Sequence, residues 1–213
     1  MKSEAFLMDC MEGMKNTPDK YYDLAVVDPP YGGNDAINLK DNNGVRKQAT
    51  KRTKYHNFKN IAPDPAYFDE LKRVSKNQII WGVNFYNNYN FAGGRLCWDK
   101  KGTAFGRAEL AYLSMTKSVD ICEIVWNGMI QQNMKNKEIR FHPTQKPVAL
   151  YDWIFAKYAT PGMKILDTHL GSGSSRIAAY KAKLDFTGYE IDAEYFEAQE
   201  KRFQIFIAQG TLF

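Results

Sequence analysis

Ile165-Leu166-Asp167-Thr168-His169-Leu170-Gly171-Ser172-Gly173-Ser174-Ser175 reads as an apolar strand ending in an acid, a glycine turn, and the opening of a helix. Gly171 and Gly173 let the backbone pass close to a ligand, and the helix N-terminus behind them offers amide donors to an anion. Alone, a Gly-Ser-Gly loop serves nucleotide, phosphate and purely structural turns alike. The Gly-Lys-Ser/Thr ending of a phosphate-binding P-loop is absent. Roughly twenty residues further on, Thr187-Gly188-Tyr189-Glu190-Ile191-Asp192 is another strand ending in an acid, placed to accept both hydroxyls of a ribose. A lone acid at a strand end is more often a helix cap; paired with the glycine loop, Glu190 reads as a ribose ligand.

The same alternation extends outward. Residues 5–9 form a short apolar strand, 10–16 a helical stretch, Thr17-Pro18 a turn, and 23–28 a second strand. Phe68, Leu71 and Val74 recur at helical spacing over 65–75, and 78–82, 96–98, 109–115 and 120–126 read as strands. After Pro147 a helix carries Leu150, Ile154, Phe155 and Tyr158 and stops at Thr160-Pro161-Gly162. A strand over 164–167, a helix over 174–183, a strand over 186–190 and a helix through Phe203 complete the chain. This is an α/β pattern, with a largely parallel sheet covered on both faces and ligands beyond the carboxyl ends of its strands.

The second informative string is Val26-Val27-Asp28-Pro29-Pro30-Tyr31. Two consecutive prolines remove two backbone donors and hold the preceding residue extended, leaving carbonyl oxygens free to accept. An aniline-like amino group is a poor nucleophile because its lone pair is delocalised into the ring. Hydrogen bonds from its two N–H groups to the Asp28 carboxylate and the Pro29 carbonyl favour a pyramidal nitrogen, and Tyr31 is placed to stack on the ring. A loose Pro-Pro is an ordinary turn; the complete string after a buried strand is far more specific.

The chain has 213 residues, of which 44% are hydrophobic and 14% aromatic, ample for a core and incompatible with global disorder. Its formal net charge of +5 is local. Between residues 32 and 60, Lys40, Arg46, Lys47, Lys51, Arg52, Lys54 and Lys59 face only Asp35 and Asp41, so this segment carries the whole excess. A charge run is commonly a solvated surface, but its place directly after Tyr31 favours a polyanion contact. Cys10, Cys97 and Cys122 are too few and scattered for a disulfide framework. His56, His142 and His169 have no partner at helical spacing, so no metal is expected. There is no apolar leader and no window near the ~20 apolar residues of a bilayer span, so a soluble cytoplasmic protein without membrane association is expected.

Together these residues resemble the amino-group DNA methyltransferases of the permuted β class, in which the catalytic motif precedes the glycine motif, as Asp28 precedes Asp167 here. Phe141-His142-Pro143-Thr144-Gln145-Lys146-Pro147 is similar to the family's His-Pro-Thr-x-Lys-Pro element. Ile80-Trp81-Gly82-Val83-Asn84-Phe85, Trp98-Asp99-Lys100 and Ala108-Glu109-Leu110-Ala111 resemble the small phage and prophage DNA adenine N6-methyltransferases, which points to a bacterial or phage origin. The resemblance implies a Rossmann-like S-adenosylmethionine-dependent fold over residues 1–213, a mixed seven-stranded sheet with helices on both faces. It implies Asp28, Pro29, Pro30 and Tyr31 as catalytic residues. It further implies that Asp9 and Cys10 border the cofactor adenine, that Glu190 holds its ribose, that Asp167, Gly171 and Gly173 shape the methionine pocket, and that Asp28, His169 and Ser172 also bind the cofactor. Thr144 and Lys146 meet the cofactor carboxylate. Where the family has Pro-Phe after the first acid, this chain has Thr168-His169, so an imidazole replaces an aromatic contact.

The expected reaction is direct displacement on a base flipped out of double-stranded DNA. Arg46, Lys47, Lys51, Arg52 and Lys54 are the candidate phosphate contacts, and 127–141 is a short recognition segment. Cytosine C5 is disfavoured because no Pro-Cys thiolate is present. Asp at the first catalytic position favours adenine N6 over cytosine N4, and a DNA-binding module without activity is the reading from another class. A homodimer and a restriction partner stay open.

Overall fold

The computed structural model describes residues 1–32, 60–102, 106–127 and 129–210. Its strands are β1 (Ser3–Leu7), β2 (Tyr22–Val27), β3 (Ser75–Trp81), β4 (Gly94–Asp99), β5 (Ala108–Leu113), β6 (Val119–Glu123), β7 (Lys164–Asp167) and β8 (Asp185–Glu190). Its helices are α1 (Cys10–Lys15), α2 (Pro65–Val74), α3 (Val148–Tyr158), α4 (Ser174–Lys181) and α5 (Ala193–Gly210). Asp9 caps α1 by accepting from the Met11 amide at 2.7 Å, and Asp64, followed by Pro65, caps α2.

The strands form one sheet in the order β1-β8-β7-β2-β3-β5-β4-β6. Only β5 opposes its neighbours β3 and β4; every other pairing among the described residues is parallel. The sheet is therefore mixed, and it has eight strands where the resemblance implies seven. β6 is an edge strand, registered on β4 from Val119 opposite Arg95 to Glu123 opposite Asp99. It ends three residues before the apolar run does. Ile124 and Trp126 are buried beyond its end, Ile124 still donating its amide to the Asp99 carbonyl of β4 at 3.1 Å and Trp126 forming an isolated bridge with Gln131.

Alternation along the central strands divides the core. Leu24 and Val26 of β2 pack with Leu150, Ile154 and Phe155 of α3 and with Ala178 and Ala179 of α4. Ala25 and Val27 pack on the opposite face with Tyr67, Phe68, Leu71 and Val74 of α2. Both faces being covered explains why β2 is apolar without a break from Leu24 to Val27. From β7 the chain continues outward to β8, and from β2 it continues to β3 on the other side. The strand order thus reverses between β7 and β2, and a crevice opens beyond their carboxyl ends. Among the described residues no helix is long and apolar enough to cross a membrane.

Candidate active site

Asp28 follows β2 directly and Tyr31 turns back onto it, its hydroxyl donating to Asp28 Oδ1 at 2.7 Å. The Tyr31 ring stacks on Phe85 with centroids 4.8 Å apart and planes 11° from parallel. Phe85 lies in a single 3-10 turn, Val83–Phe85, entered through Gly82 with φ of 72°. Contrary to expectation, the Pro29 carbonyl is not free, because the buried Tyr86 hydroxyl donates to it at 2.8 Å. A carbonyl has a second lone pair, so one further donor still fits.

Lys146 brings the His-Pro-Thr-x-Lys-Pro element to the same point. Its ammonium lies 2.5 Å from Asp28 Oδ2, 3.1 Å from the Tyr31 hydroxyl and 3.1 Å from Glu109 Oε2. Glu109, on β5, pairs through its other oxygen with Lys100. The resemblance assigns Lys146 to the cofactor carboxylate; its ammonium lies here against Asp28. Burial pushes Asp28 above the usual carboxylate range, with Lys146 pulling the other way. Burial also opposes the charge on Lys146, but Asp28 and Glu109 outweigh it and raise its pKa. For Glu109 burial is outweighed as well, since Lys146 and Lys100 hold it down at about 2. The four groups form a neutral set of two carboxylates and two ammoniums.

Across the crevice, the glycine loop leaves β7 through Asp167, whose carboxylate accepts from Ser175 Oγ at 2.5 Å and from the His169 amide at 3.0 Å. Gly171 and Gly173 take φ of 50° and 71°, the left-handed region that glycine adopts without strain. Glu190 at the end of β8 accepts from the Gly171 amide at 2.7 Å, Ile191 at 3.0 Å and Asp192 at 2.9 Å. Its carboxylate is thereby aimed at the loop with about one lone-pair site, on Oε2, left over. Ser172 is buried, its hydroxyl bonded to Ser174. Thr144 is exposed and bonds the His142 ring, which lies 3.5 Å from where a Gly171 side chain would begin.

Thr168 and His169, the departure from the family pattern, interlock with α2. The Thr168 hydroxyl bonds Tyr67 Oη at 2.6 Å and His169 Nδ1 at 3.0 Å. Burial holds His169 down at about 4, so at neutral pH it presents an uncharged ring. Burial likewise pushes the Cys10 thiol up to about 12, so it stays protonated beside Asp9.

The structure therefore gathers the Asp28-Pro29-Pro30-Tyr31 string and the glycine loop at neighbouring strand ends. Glu109, Phe85 and Tyr86 join them without having been singled out for chemistry; only the family-like strings around Glu109 and Phe85 hinted at them. The described residues of segment 127–141 form a turn system: Glu138 exchanges hydrogen bonds with Gln131, accepts from the Val148 amide and pairs with Arg202 of α5 at 2.7 Å. Arg46, Lys47, Lys51, Arg52 and Lys54 lie outside the described residues. Among the described residues no cluster of His, Cys, Asp and Glu could hold a metal ion.

Comparison with known proteins agrees with this geometry. Residues 98–201 match the N6_N4_Mtase family, described as DNA methylase. The type II methyltransferase M.HinfI of Haemophilus influenzae is 23% identical over 242 aligned positions, covering 91% of this chain and 66% of that protein. This chain thus spans just under two thirds of that relative. Among solved structures, the PvuII DNA methyltransferase (cytosine-N4-specific) superposes with a TM-score of 0.62 at 14% identity, covering 95% of this chain and 86% of its own. The M1.HpyAVI–SAM complex does so with a TM-score of 0.56 at 18% identity, covering 93% and 98%. The structural likeness shows the fold of the S-adenosylmethionine-dependent DNA methyltransferases, and the family and sequence matches support an amino-methyltransferase.

Proposed function

We propose that this chain is an S-adenosylmethionine-dependent DNA methyltransferase that modifies the exocyclic amino group of a flipped-out base, N6 of adenine. The observation that carries the reading is the adjacency of β2 and β7, which sets Asp28-Pro29-Pro30-Tyr31 beside the Asp167 to Gly173 loop at the reversal in strand order. The loop fits the cofactor in kind. Gly171 and Gly173 let the backbone approach a ligand, Glu190 offers an acceptor for a ribose, and the neutral His169 ring supplies an uncharged wall. Bound there, S-adenosylmethionine supplies an electrophilic sulfonium methyl that the amino nitrogen takes by in-line displacement.

The protein contributes alignment and acceptors. Asp28 and the remaining lone pair of Pro29 receive the two N–H groups, turning the nitrogen lone pair outward. Tyr31, its ring held by Phe85 and its hydroxyl by Asp28, stacks on the base. Extruding the base costs a few kcal/mol, offset by stacking and these polar contacts. The single domain over 1–213, with double-stranded DNA as partner through the basic segment, belongs to the same proposal.

The test is incubation of unmethylated DNA with labelled cofactor, followed by nucleoside analysis and methylation mapping. N6-methyladenine is the expected product. N4-methylcytosine would move the specificity to that of the PvuII enzyme, and no labelled DNA despite bound cofactor would leave a DNA-binding module. Asp28→Ala should abolish turnover while cofactor affinity changes no more than a few-fold.

A further inference from the structure

Both oxygens of Asp28 already accept hydrogen bonds from the protein, Oδ1 from the Tyr31 hydroxyl and Oδ2 from the Lys146 ammonium. The acceptor that a target amino group needs is thus engaged by a side chain that is itself an amine. Lys146 has three protons and three acceptors, Asp28, Tyr31 and Glu109, so it is saturated, and it is buried to 5% exposure. Each carboxylate oxygen keeps a second lone-pair site, so a base amine approaching Asp28 Oδ2 competes with the ammonium for that oxygen and is received best when the ammonium withdraws. Displaced with nowhere to go, a buried ammonium would oppose base capture strongly. Glu109 Oε2 already lies 3.1 Å from it.

Resting on the reading above, we propose that Lys146 holds the place of the target amine on Asp28 and passes wholly to Glu109 when the base enters. Glu109 is then a positioning residue for the reaction: it touches neither base nor cofactor, and acts by receiving the lysine. The exchange needs only torsions within the lysine side chain, since donor and new acceptor are already in contact. It also serves the proton balance. The methylated nitrogen carries one proton in excess; its N–H bond breaks with the electron pair left on nitrogen, and the proton bonds to Asp28, from which solvent removes it. A carboxylate relieved of its ammonium is the better acceptor for that proton. Burial already pushes Asp28 upward with Lys146 as the chief restraint, and Glu109 is held ionised by both lysines.

The experiment compares wild type, Glu109→Gln, Glu109→Asp, Lys146→Met and the double variant Glu109→Gln/Lys146→Met. Base capture is read from 2-aminopurine fluorescence at the mapped target position, alongside cofactor affinity by calorimetry and thermal midpoint. Glu109→Gln, which keeps shape but loses charge, should weaken base capture about tenfold, the scale of one charged hydrogen bond, with cofactor affinity unchanged. Glu109→Asp should recover part of it. Measured toward alkaline pH, where Asp28 is ionised without its restraint, the double variant, lacking the competitor, should capture the base better than Glu109→Gln, and Lys146→Met should capture it at least as well as wild type. If Glu109→Gln does not fold, the Lys146→Met comparison still decides. A double variant as impaired as Glu109→Gln, or weaker capture by folded Lys146→Met, would overturn the handover and leave a static ion-pair network. Wild type that methylates no DNA would instead sink the proposed function itself.

Discussion

Gly82 shows how tightly single residues constrain the catalytic end of the sheet. Its φ of 72° is left-handed, and a Cβ there would lie 2.2 Å from the Tyr31 ring. Gly82→Ala therefore adds backbone strain of about 1–3 kcal/mol and forces Tyr31 off Phe85 and Asp28. Expected are a lower thermal midpoint and a large loss of turnover and base capture, with cofactor affinity retained; normal turnover would show that the position of Tyr31 is immaterial. Asp167 offers a test by pH. Burial raises its carboxyl from 3.8 to about 7, against the pull of Ser175 and the His169 amide. Between those values the unfolded chain has lost the proton that the folded chain keeps, so this group makes stability fall as pH rises through the window and level off above it. The span corresponds to at most about 4 kcal/mol. Asp167→Asn can keep both contacts, the carbonyl accepting from His169 and the amide donating to Ser175, and should lack that fall. Urea unfolding from about pH 4 to about pH 8 checks it, and parallel curves for the two proteins would refute it.

At the level of elements, Glu190 belongs to β8 but organises the loop after β7, since its carboxylate gathers the amides of Gly171, Ile191 and Asp192. Glu190→Ala therefore removes the proposed ribose acceptor and also orphans three backbone donors. Cofactor affinity should fall by at least about tenfold in calorimetry, with some loss of thermal stability; unchanged affinity would remove Glu190 from the site. Strand positions were readable where an apolar run is compact, and at β2, β7 and β8 the run ends at an acid; β1, only half apolar, lies at Ser3–Leu7 and not at the expected 5–9. The end of β6 was not readable, because Ile124 and Trp126 are buried in a loop and apolarity reports burial, not pairing. Nor was the role of Phe85, a half-exposed aromatic in a one-turn helix with no periodicity around it. The Lys146–Glu109 pair lay beyond reach for a different reason. It joins a loop to the one antiparallel strand, a juxtaposition fixed by the order β3-β5-β4, which hydrophobic pattern does not specify.

Over the whole molecule, the charge distribution bears on how a long polyanion would be held. The net +5 resides between residues 32 and 60, while the remainder of the chain balances. Both flanks of that segment are tied together beside the catalytic motif, the Gly32 amide donating to Asn60 Oδ1 at 3.3 Å directly after Tyr31. The two ends of that segment are thus held beside Asp28 and Tyr31, where a base would enter on the proposed function. The acidic groups of the crevice, by contrast, are internally compensated, as Asp28 and Glu109 are by Lys146 and Lys100, so they add little repulsion toward phosphate. Cationic side chains on phosphates position a duplex without reading its sequence, and each neutralised phosphate contributes about 0.9 to the slope of log affinity against log salt. Neutralising Arg46, Lys47, Lys51 and Arg52 together should weaken DNA binding at low salt and flatten that slope by about 0.9 for every phosphate left without its cation. Cofactor affinity should stay unchanged, because Gly171 and Gly173 lie across the crevice in the loop after β7 and Glu190 at the end of β8. The measurement is DNA affinity over a salt series for wild type and the quadruple variant. Equal slopes would mean that these cations face only solvent, and that the duplex is held by other groups.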